Sequence, residues 1–369
     1  MPSVVVPEVP NDEESLLDEA IATFEAVLPE GWRMVRQQIN SATGRDDGVS
    51  LQAPGQSFIT FLPEVRLTTS PRDIQRLAAD ALSQRIRAYS SVNLLFIAPW
   101  ISPRSRELLT QAGWSYLDLT GNIRIAAPNA ALFILTNGAQ NDPAPRRRGS
   151  VQLRGTRSAR LIRFLCDVRP PYGVRELAGA TGLNAGWVSQ LLGALDAQAL
   201  IDRNRRGEVT GTDPKALINR WAESYDVLKT NKARSYIAPN GARRALEALG
   251  EQVNVPRWSL TGSFAAVALA PVAAPSLLLV YTDEVDQLAR ALDLLPAAQG
   301  ADVALLRPYD EAVWQRPLVG ARVPTVGPSQ LAVDCLTGTG RMPAEGEAVL
   351  DWMQDNEDTW RVPSLADLQ

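Results

Sequence analysis

Between Gly155 and Gly211 the chain sets short apolar repeats at helical spacing between glycine-bearing turns, and few folds accept that order. Leu161, Ile162 and Leu165 mark one helix, and Val174 to Ala180 mark a short second one. Gly182-Leu183-Asn184 forms a turn. Val188, Leu191, Leu192 and Leu195 then recur in steps of three and four, which gives a third helix a single buried face. Asn184 suits the N-cap of that helix, because its side-chain oxygen can accept from free backbone N–H groups. Ala185, Gly186, Trp187, Ser189 and Gln190 are left to face outward. Ala199 to Arg203 and Glu208 to Gly211 read as two strands joined by Asn204-Arg205-Arg206-Gly207, a turn carrying two cations.

This order resembles a winged helix-turn-helix. The resemblance implies that the third helix enters the major groove of double-stranded DNA, with its first residues approaching base edges. Gln190 can bond adenine through two atoms, whereas Ser189 is permissive. Arg203, Arg205 and Arg206 on the wing, and Arg157 and Arg160 on the first helix, are the candidate phosphate contacts. Some winged helices serve instead as protein-interaction modules, and the charge distribution bears on that choice.

The whole chain of 369 residues has 37 basic and 41 acidic residues, a net charge of −4 that argues against nucleic acid. The balance is uneven. From Pro143 to Arg234 there are 17 basic and 8 acidic residues, net +9, against net −13 elsewhere. Arg146, Arg147, Arg148, Arg154, Arg157, Arg160 and Arg163 all precede the first acid, Asp167. Such a run would neutralise phosphates and make affinity fall steeply with salt.

Length and a 45% apolar content allow two or three cores, so the chain reads as multidomain α/β. With no histidine, neither a Ser-His-Asp or Cys-His nucleophile nor an imidazole base can be assembled. Neither GxxxxGK[ST] nor a GxGxxG after a strand occurs, which disfavours nucleotide hydrolysis. No cofactor and no metal site is expected from these patterns. Cys166 and Cys335 sit far apart in apolar helical patterns and read as reduced thiols of a cytoplasmic, nucleoid-associated protein. The first residues lack the basic and apolar regions of a signal peptide, and residues 1–10 are expected to form a mobile arm. Phe264 to Tyr281 carries no charge over nearly the length of a membrane span, but Pro271 and Pro275 divide it. A helix, a loop and a buried strand from Leu277 to Tyr281 are expected there.

Upstream, Glu13 to Leu28 reads as a helix, Trp32 to Gln38 and Ser57 to Leu67 as strands, Pro71 to Tyr89 as a helix and Asn93 to Ala98 as a buried strand. Pro103 to Ala112 is a further helix, followed by strands at Trp114 to Leu119, Ile123 to Ala126 and Leu132 to Leu135. This order, with Gly44-Arg45-Asp46-Asp47-Gly48 ahead of Phe61 to Leu67, resembles the PD-(D/E)XK restriction-endonuclease-like fold. In that family an acid and an E-x-K triplet hold a divalent ion. The matching residues are Asp47 (or Asp46), Glu64 and Arg66. Arg66 stands where the family has lysine and stays protonated, which points to a scaffold that has lost cleavage.

Asn93 to Ile125, the winged helix, Trp258 to Pro271 and Val323 to Met353 together resemble AbiEi-type type IV antitoxins and related actinobacterial helix-turn-helix regulators. That resemblance implies a transcriptional repressor, often of its own operon, beside a toxin resembling a nucleotidyltransferase. In the last third, Trp258 to Ser263 and Leu277 to Asp286 resemble a degenerate minimal nucleotidyltransferase. Such enzymes need two acids two residues apart on one strand, whereas Asp283 and Asp286 are three apart. The expected organisation is an arm at 1–10, an αβ domain at 11–140, a basic linker at 141–154, a winged helix at 155–232 and a C-terminal αβ domain at 233–369. The last domain would serve dimerisation, sensing or partner binding. The functional expectation is a DNA-binding regulator acting as a homodimer, with a cognate toxin or effector as further partner and no membrane. The alternatives are a divalent-metal nuclease using Asp47 and Glu64, and a DNA-binding protein without sequence preference.

Overall fold

The computed structural model describes residues 10–41, 44–55, 58–88, 93–143, 155–251 and 255–367. The expected arm, apart from Pro10, and the linker arginines Arg146, Arg147, Arg148 and Arg154 lie outside the described residues. The chain divides into two compact units, one of Met1–Ser150 with Asp196–Ala199, the other of Val151–Leu195 with Leu200–Gln369.

The first unit is built around a seven-stranded sheet whose strands lie side by side in chain order. Its elements are α1 (Glu13–Glu25), β1 (Arg33–Ser41), β2 (Gly44–Gln52), β3 (Ile59–Val65), α2 (Pro71–Ala88), β4 (Asn93–Ala98), α3 (Pro103–Gln111), β5 (Ser115–Asp118), β6 (Ile123–Ala127) and β7 (Leu132–Thr136). The first three strands form an antiparallel meander, and β3, β4 and β5 run parallel. Parallel neighbours need a crossover, and α2 and α3 provide the two. On one face Leu16, Leu17, Ala20 and Phe24 of α1 pack against Val49, Leu51, Phe61, Leu95 and Ile97. Ile74 of α2 with Leu108 and Leu109 of α3 pack with Leu94, Phe96, Trp114 and Tyr116 in a second core. The central strand β4 reads Asn-Leu-Leu-Phe-Ile-Ala because both of its faces are covered.

One strand was not legible in the sequence. Gly44 to Gly48 is made of Gly, Asp and Arg and does not read as a strand, yet it forms the first half of β2 and pairs with β1 in an unbroken register from Arg33↔Gln52 to Ser41↔Gly44. Cross-strand pairing overrides the weak β preference of Gly and Asp here.

The segment Tyr116 to Asn122 is a polar knot rather than a simple turn. The buried Asp118 carboxylate accepts from the backbone N–H groups of Ile101, Thr120 and Asn122, from the Thr120 hydroxyl and from the Asn122 amide, at 2.7–3.0 Å. Asn122 Oδ1 in turn accepts from Arg106 at 2.6 Å and from the Gly138 N–H at 2.9 Å. A Cβ on Gly138 would lie 2.1 Å from the Thr120 carbonyl oxygen, so only glycine fits there.

The second unit begins with α4 (Thr156–Asp167), α5 (Val174–Thr181), α6 (Ala185–Ala197), β8 (Ile201–Arg203) and β9 (Val209–Thr212). It continues through α7 (Pro214–Ala222), α8 (Val227–Thr230), β10 (Arg234–Ile237), α9 (Ala242–Glu251), β11 (Trp258–Thr261), α10 (Ser263–Ala266), β12 (Leu278–Thr282), α11 (Val285–Ala291), β13 (Leu295–Pro296) and β14 (Val303–Leu306). It closes with α12 (Pro328–Leu336), α13 (Met342–Asp355) and α14 (Glu357–Trp360). A five-stranded sheet has the order β11-β12-β14-β10-β13, with β12 and β14 parallel. The uncharged stretch Phe264 to Tyr281 divides as expected between α10, a loop and β12. Among the described residues no helix is long and apolar enough to cross a membrane.

The boundary expected at 232/233 is not a break in packing. One apolar core runs from Ala159 through Trp221 to Met353. The cations of α4 explain why. Arg163 is fully buried beside Asp167 and donates to the carbonyls of Ala312 and Gln315. Asp167 also accepts from Arg316 at 2.7 Å and from the Ser329 hydroxyl. Arg361 reaches the Val168 carbonyl at 3.2 Å and Thr212 at 2.9 Å. Arg163 is therefore a structural cation, not a phosphate contact.

Truncating Arg163 takes one of two guanidinium groups from Asp167, which keeps Arg316, and leaves the buried Ala312 and Gln315 carbonyls without their donor. Arg163→Met is expected to lower the unfolding free energy by about 3–5 kcal/mol in urea melts, whereas Arg157→Ala should change it by less than about 0.5 kcal/mol.

Candidate nucleic-acid interface

The α5–α6 corner is set by local chemistry. Gly182 takes a φ of +66° at the end of α5, and the Leu183 N–H returns to the Ala178 carbonyl at 3.1 Å. Asn184 Oδ1 accepts from the N–H groups of Gly186 and Trp187 at 2.9 and 3.2 Å, the cap read from the sequence. Val188, Leu191, Leu192 and Leu195 are fully buried. Gly186, Ser189, Gln190 and Gly193 are consequently exposed on the opposite face. Ala185 is half-buried, and Trp187 is half-buried against the core rather than free, which removes it as an outward contact. A Cβ on Gly193 would meet nothing within 4 Å. Glycine in a helix interior costs about 1 kcal/mol relative to alanine, and no packing demand among the described residues accounts for it here.

The β8–β9 hairpin is stiff at its tip. The Asn204 carbonyl accepts from the Gly207 N–H at 2.9 Å, and Asn204 Oδ1 accepts from the N–H groups of Arg206 and Glu208 at 2.9 and 3.1 Å. Asn204 Nδ2 donates to Glu208 at 2.6 Å, and Gly207 supplies a φ of +84° that other residues rarely adopt. The Arg203 guanidinium donates twice to the Gly207 carbonyl, at 3.0 and 2.8 Å, so it braces the tip instead of facing outward. The hairpin is anchored by paired backbone bonds between Tyr172 and Val209.

One further assignment shifts. Arg160 donates to Asp310 at 2.6 Å and to the Thr181 carbonyl at 3.1 Å, and its bond to Asp310 holds its pKa above the ordinary value. It belongs to the interior network. Among the described cations between Pro143 and Arg234, Arg157, Arg175, Arg205, Arg206 and Lys232 are exposed and carry no ion pair. Arg175, in the first turn of α5, was not singled out from the sequence, since nothing in its spacing separates it from any solvated cation.

The acids expected to hold a divalent ion do not converge. The β1–β2 register runs without a bulge, so Asp47 shares the face of Val49 and Leu51, and Gln38 opposite bonds to it. Glu64 is paired with Phe96 across β3 and β4, on the other face of the sheet. Glu64 forms an ion pair with Arg66, which also reaches Glu13 at 3.5 Å. The alternative acid, Asp46, has its side chain outside the described residues. In the second unit Asp283 follows β12, while Asp286 lies in the first turn of α11 and pairs with Arg234. Neither acid is on the strand itself. Among the described residues no group of three or more Asp, Glu or Cys side chains is placed to hold a metal ion.

No family profile matches the chain, and no curated protein matches it. Among solved structures it is similar to the structure of EndoMS in apo form, at 15% identity and a TM-score of 0.20, over 30% of this chain. The similarity spans 46% of that protein's length.

Asn204 holds the tip, whereas Arg205 only projects from it. Asn204→Ala is therefore expected to destabilise the protein by about 1 kcal/mol in thermal melts, and Arg205→Ala and Arg206→Ala by less than about 0.5 kcal/mol.

Proposed function

We propose that α4 to β9 form a winged helix-turn-helix and that the protein is a sequence-specific DNA-binding transcriptional regulator. The observation that carries this reading is the pairing of two surfaces. One is the exposed face of α6, where Ser189 and Gln190 stand beside glycines that add no bulk; the other is a braced hairpin tip with Arg205 and Arg206 exposed. A helix without bulk at Gly186 and Gly193 can approach a groove floor closely. Gln190 and Ser189 have the donors and acceptors to read base edges there. Arg205 and Arg206 at the tip, with Arg157 and Arg175 on the first two helices, supply positive charge for phosphates.

The finer reading is a repressor of the AbiEi antitoxin-like kind, binding an operator as a homodimer and answering to a toxin or effector. The first unit is read as a restriction-endonuclease-like scaffold. The separation of Asp47 from Glu64 by the thickness of the sheet weighs against cleavage by that pair.

Selection of bound sequences from random duplexes, followed by titrations at several salt concentrations, tests the reading. Gln190→Ala should cost about 1–3 kcal/mol on the selected site and little on random DNA. Arg205→Ala should weaken both duplexes alike and reduce the salt slope by about one. Equal losses on both duplexes for Gln190→Ala would remove α6 as the reading helix.

A further inference from the structure

Asp334, on α12, is fully buried and has no cationic partner among the described residues. Its Oδ1 accepts from the Tyr225 hydroxyl and the Gln330 amide, both at 2.8 Å. Its Oδ2 accepts from the Thr261 hydroxyl at 2.7 Å, and the Tyr281 hydroxyl reaches both oxygens at 3.0 and 3.1 Å. All of these donors are neutral. The arrangement contrasts with Asp167, a carboxylate to which Ser329 of α12 donates and which two guanidinium groups neutralise. Tyr225 also accepts from Asn231 at 2.7 Å, and Tyr309 donates to Gln330 at 3.2 Å. The cluster thus ties α12 to β11, β12, the α7–α8 corner and the segment before Asp310.

The network can serve both protonation states. As a carboxylate, Asp334 uses four donors. As an acid, it can donate its own proton to the Tyr281 hydroxyl, which lies 3.2 Å from the Tyr225 hydroxyl and can turn to donate there. On the same helix, Ser329 donates to Asp167 of α4. We propose that Asp334 is a proton-binding site whose occupancy sets how tightly α12 holds α4. The proposal concerns the interior of the second unit and stands whether or not that unit binds DNA.

Burial is the largest influence on Asp334 and raises its pKa from 3.8 to about 6, against the opposing pull of its donors. The sign follows from linkage. Between these two values the folded protein keeps a proton that the unfolded chain releases, so the stabilisation is full below about pH 4 and is lost as pH rises through about 6. The groups facing Asp334 do not share that window. Burial pushes Tyr225, Tyr281, Tyr309 and Cys335 upward, so they stay protonated. Glu345 from α13 bonds to Ser263, and Arg163, Asp167 and Arg316 form the compensated cluster at the other end of α12. With no histidine in the chain, the usual side-chain source of a transition in this range is missing.

Hydrogen exchange of the full chain, corrected for the intrinsic rate, tests the latch at about pH 5 and about pH 7.5. Wild-type α4 amides should lose about tenfold in protection at the higher pH, and Asp334→Asn should abolish that dependence. Ser329→Ala should keep the dependence in α12 while removing it from α4. Unchanged wild-type protection, or the same loss in Asp334→Asn, would overturn the proposal, whatever the protein's affinity for DNA. Should Asp334→Asn not fold, carboxyl-carbon resonance titration of the wild type decides: a midpoint near 6 supports the site, and one below about 5 overturns it.

Discussion

The second unit is organised by the buried charge of Arg163. A guanidinium wholly removed from water must find a counter-ion and hydrogen-bond acceptors, and it finds them in Asp167 on its own helix and in the carbonyls of Ala312 and Gln315. Such a pair adds little net stability over apolar packing, because desolvation offsets the attraction. What it gives is register. The carbonyl acceptors come from a segment some 150 positions further along, so α4 has one seating in which each nitrogen of the guanidinium finds an acceptor. Arg160 with Asp310 and Arg316 with Asp167 extend the same arrangement along the helix.

This accounts for what the sequence made legible and what it hid. Elements with one strong period were readable: Asn184 and the Val188 to Leu195 repeat define α6, and Asn93 to Ala98 defines β4, because each signal is local. The hairpin was readable from Asn204 to Gly207 for the same reason. β2 was not, since its first half is made of turn-forming residues and exists as a strand only because β1 lies beside it. Nor were the partners of the arginines. Charge counts treat every cation as solvated, whereas Arg160, Arg163 and Arg203 are each engaged inside the fold. Asp47 and Glu64 were paired from their order in the chain, but strand alternation, which needs the register of both neighbours, places them on opposite faces.

The two units handle buried polarity differently. In the first, Asp118 is satisfied almost entirely by neighbours in its own turn, so the Asp118 to Asn122 knot fixes the β5–β6 connection locally. In the second, Asp167 and Asp334 draw their partners from distant parts of the chain and from several elements at once. The partners of Asp118 are accordingly found close by along the chain, those of Asp167 and Asp334 only by folding it.

The continuous core from Ala159 to Met353 bears on how such a chain can change over evolutionary time. A segment enclosed by its own short core can be cut out and joined to new neighbours by recombination. Here Arg160 of α4 finds its counter-ion in Asp310, and Arg163 its carbonyl acceptors in Ala312 and Gln315, so α4 and the distant segment that seats it can be exchanged only together.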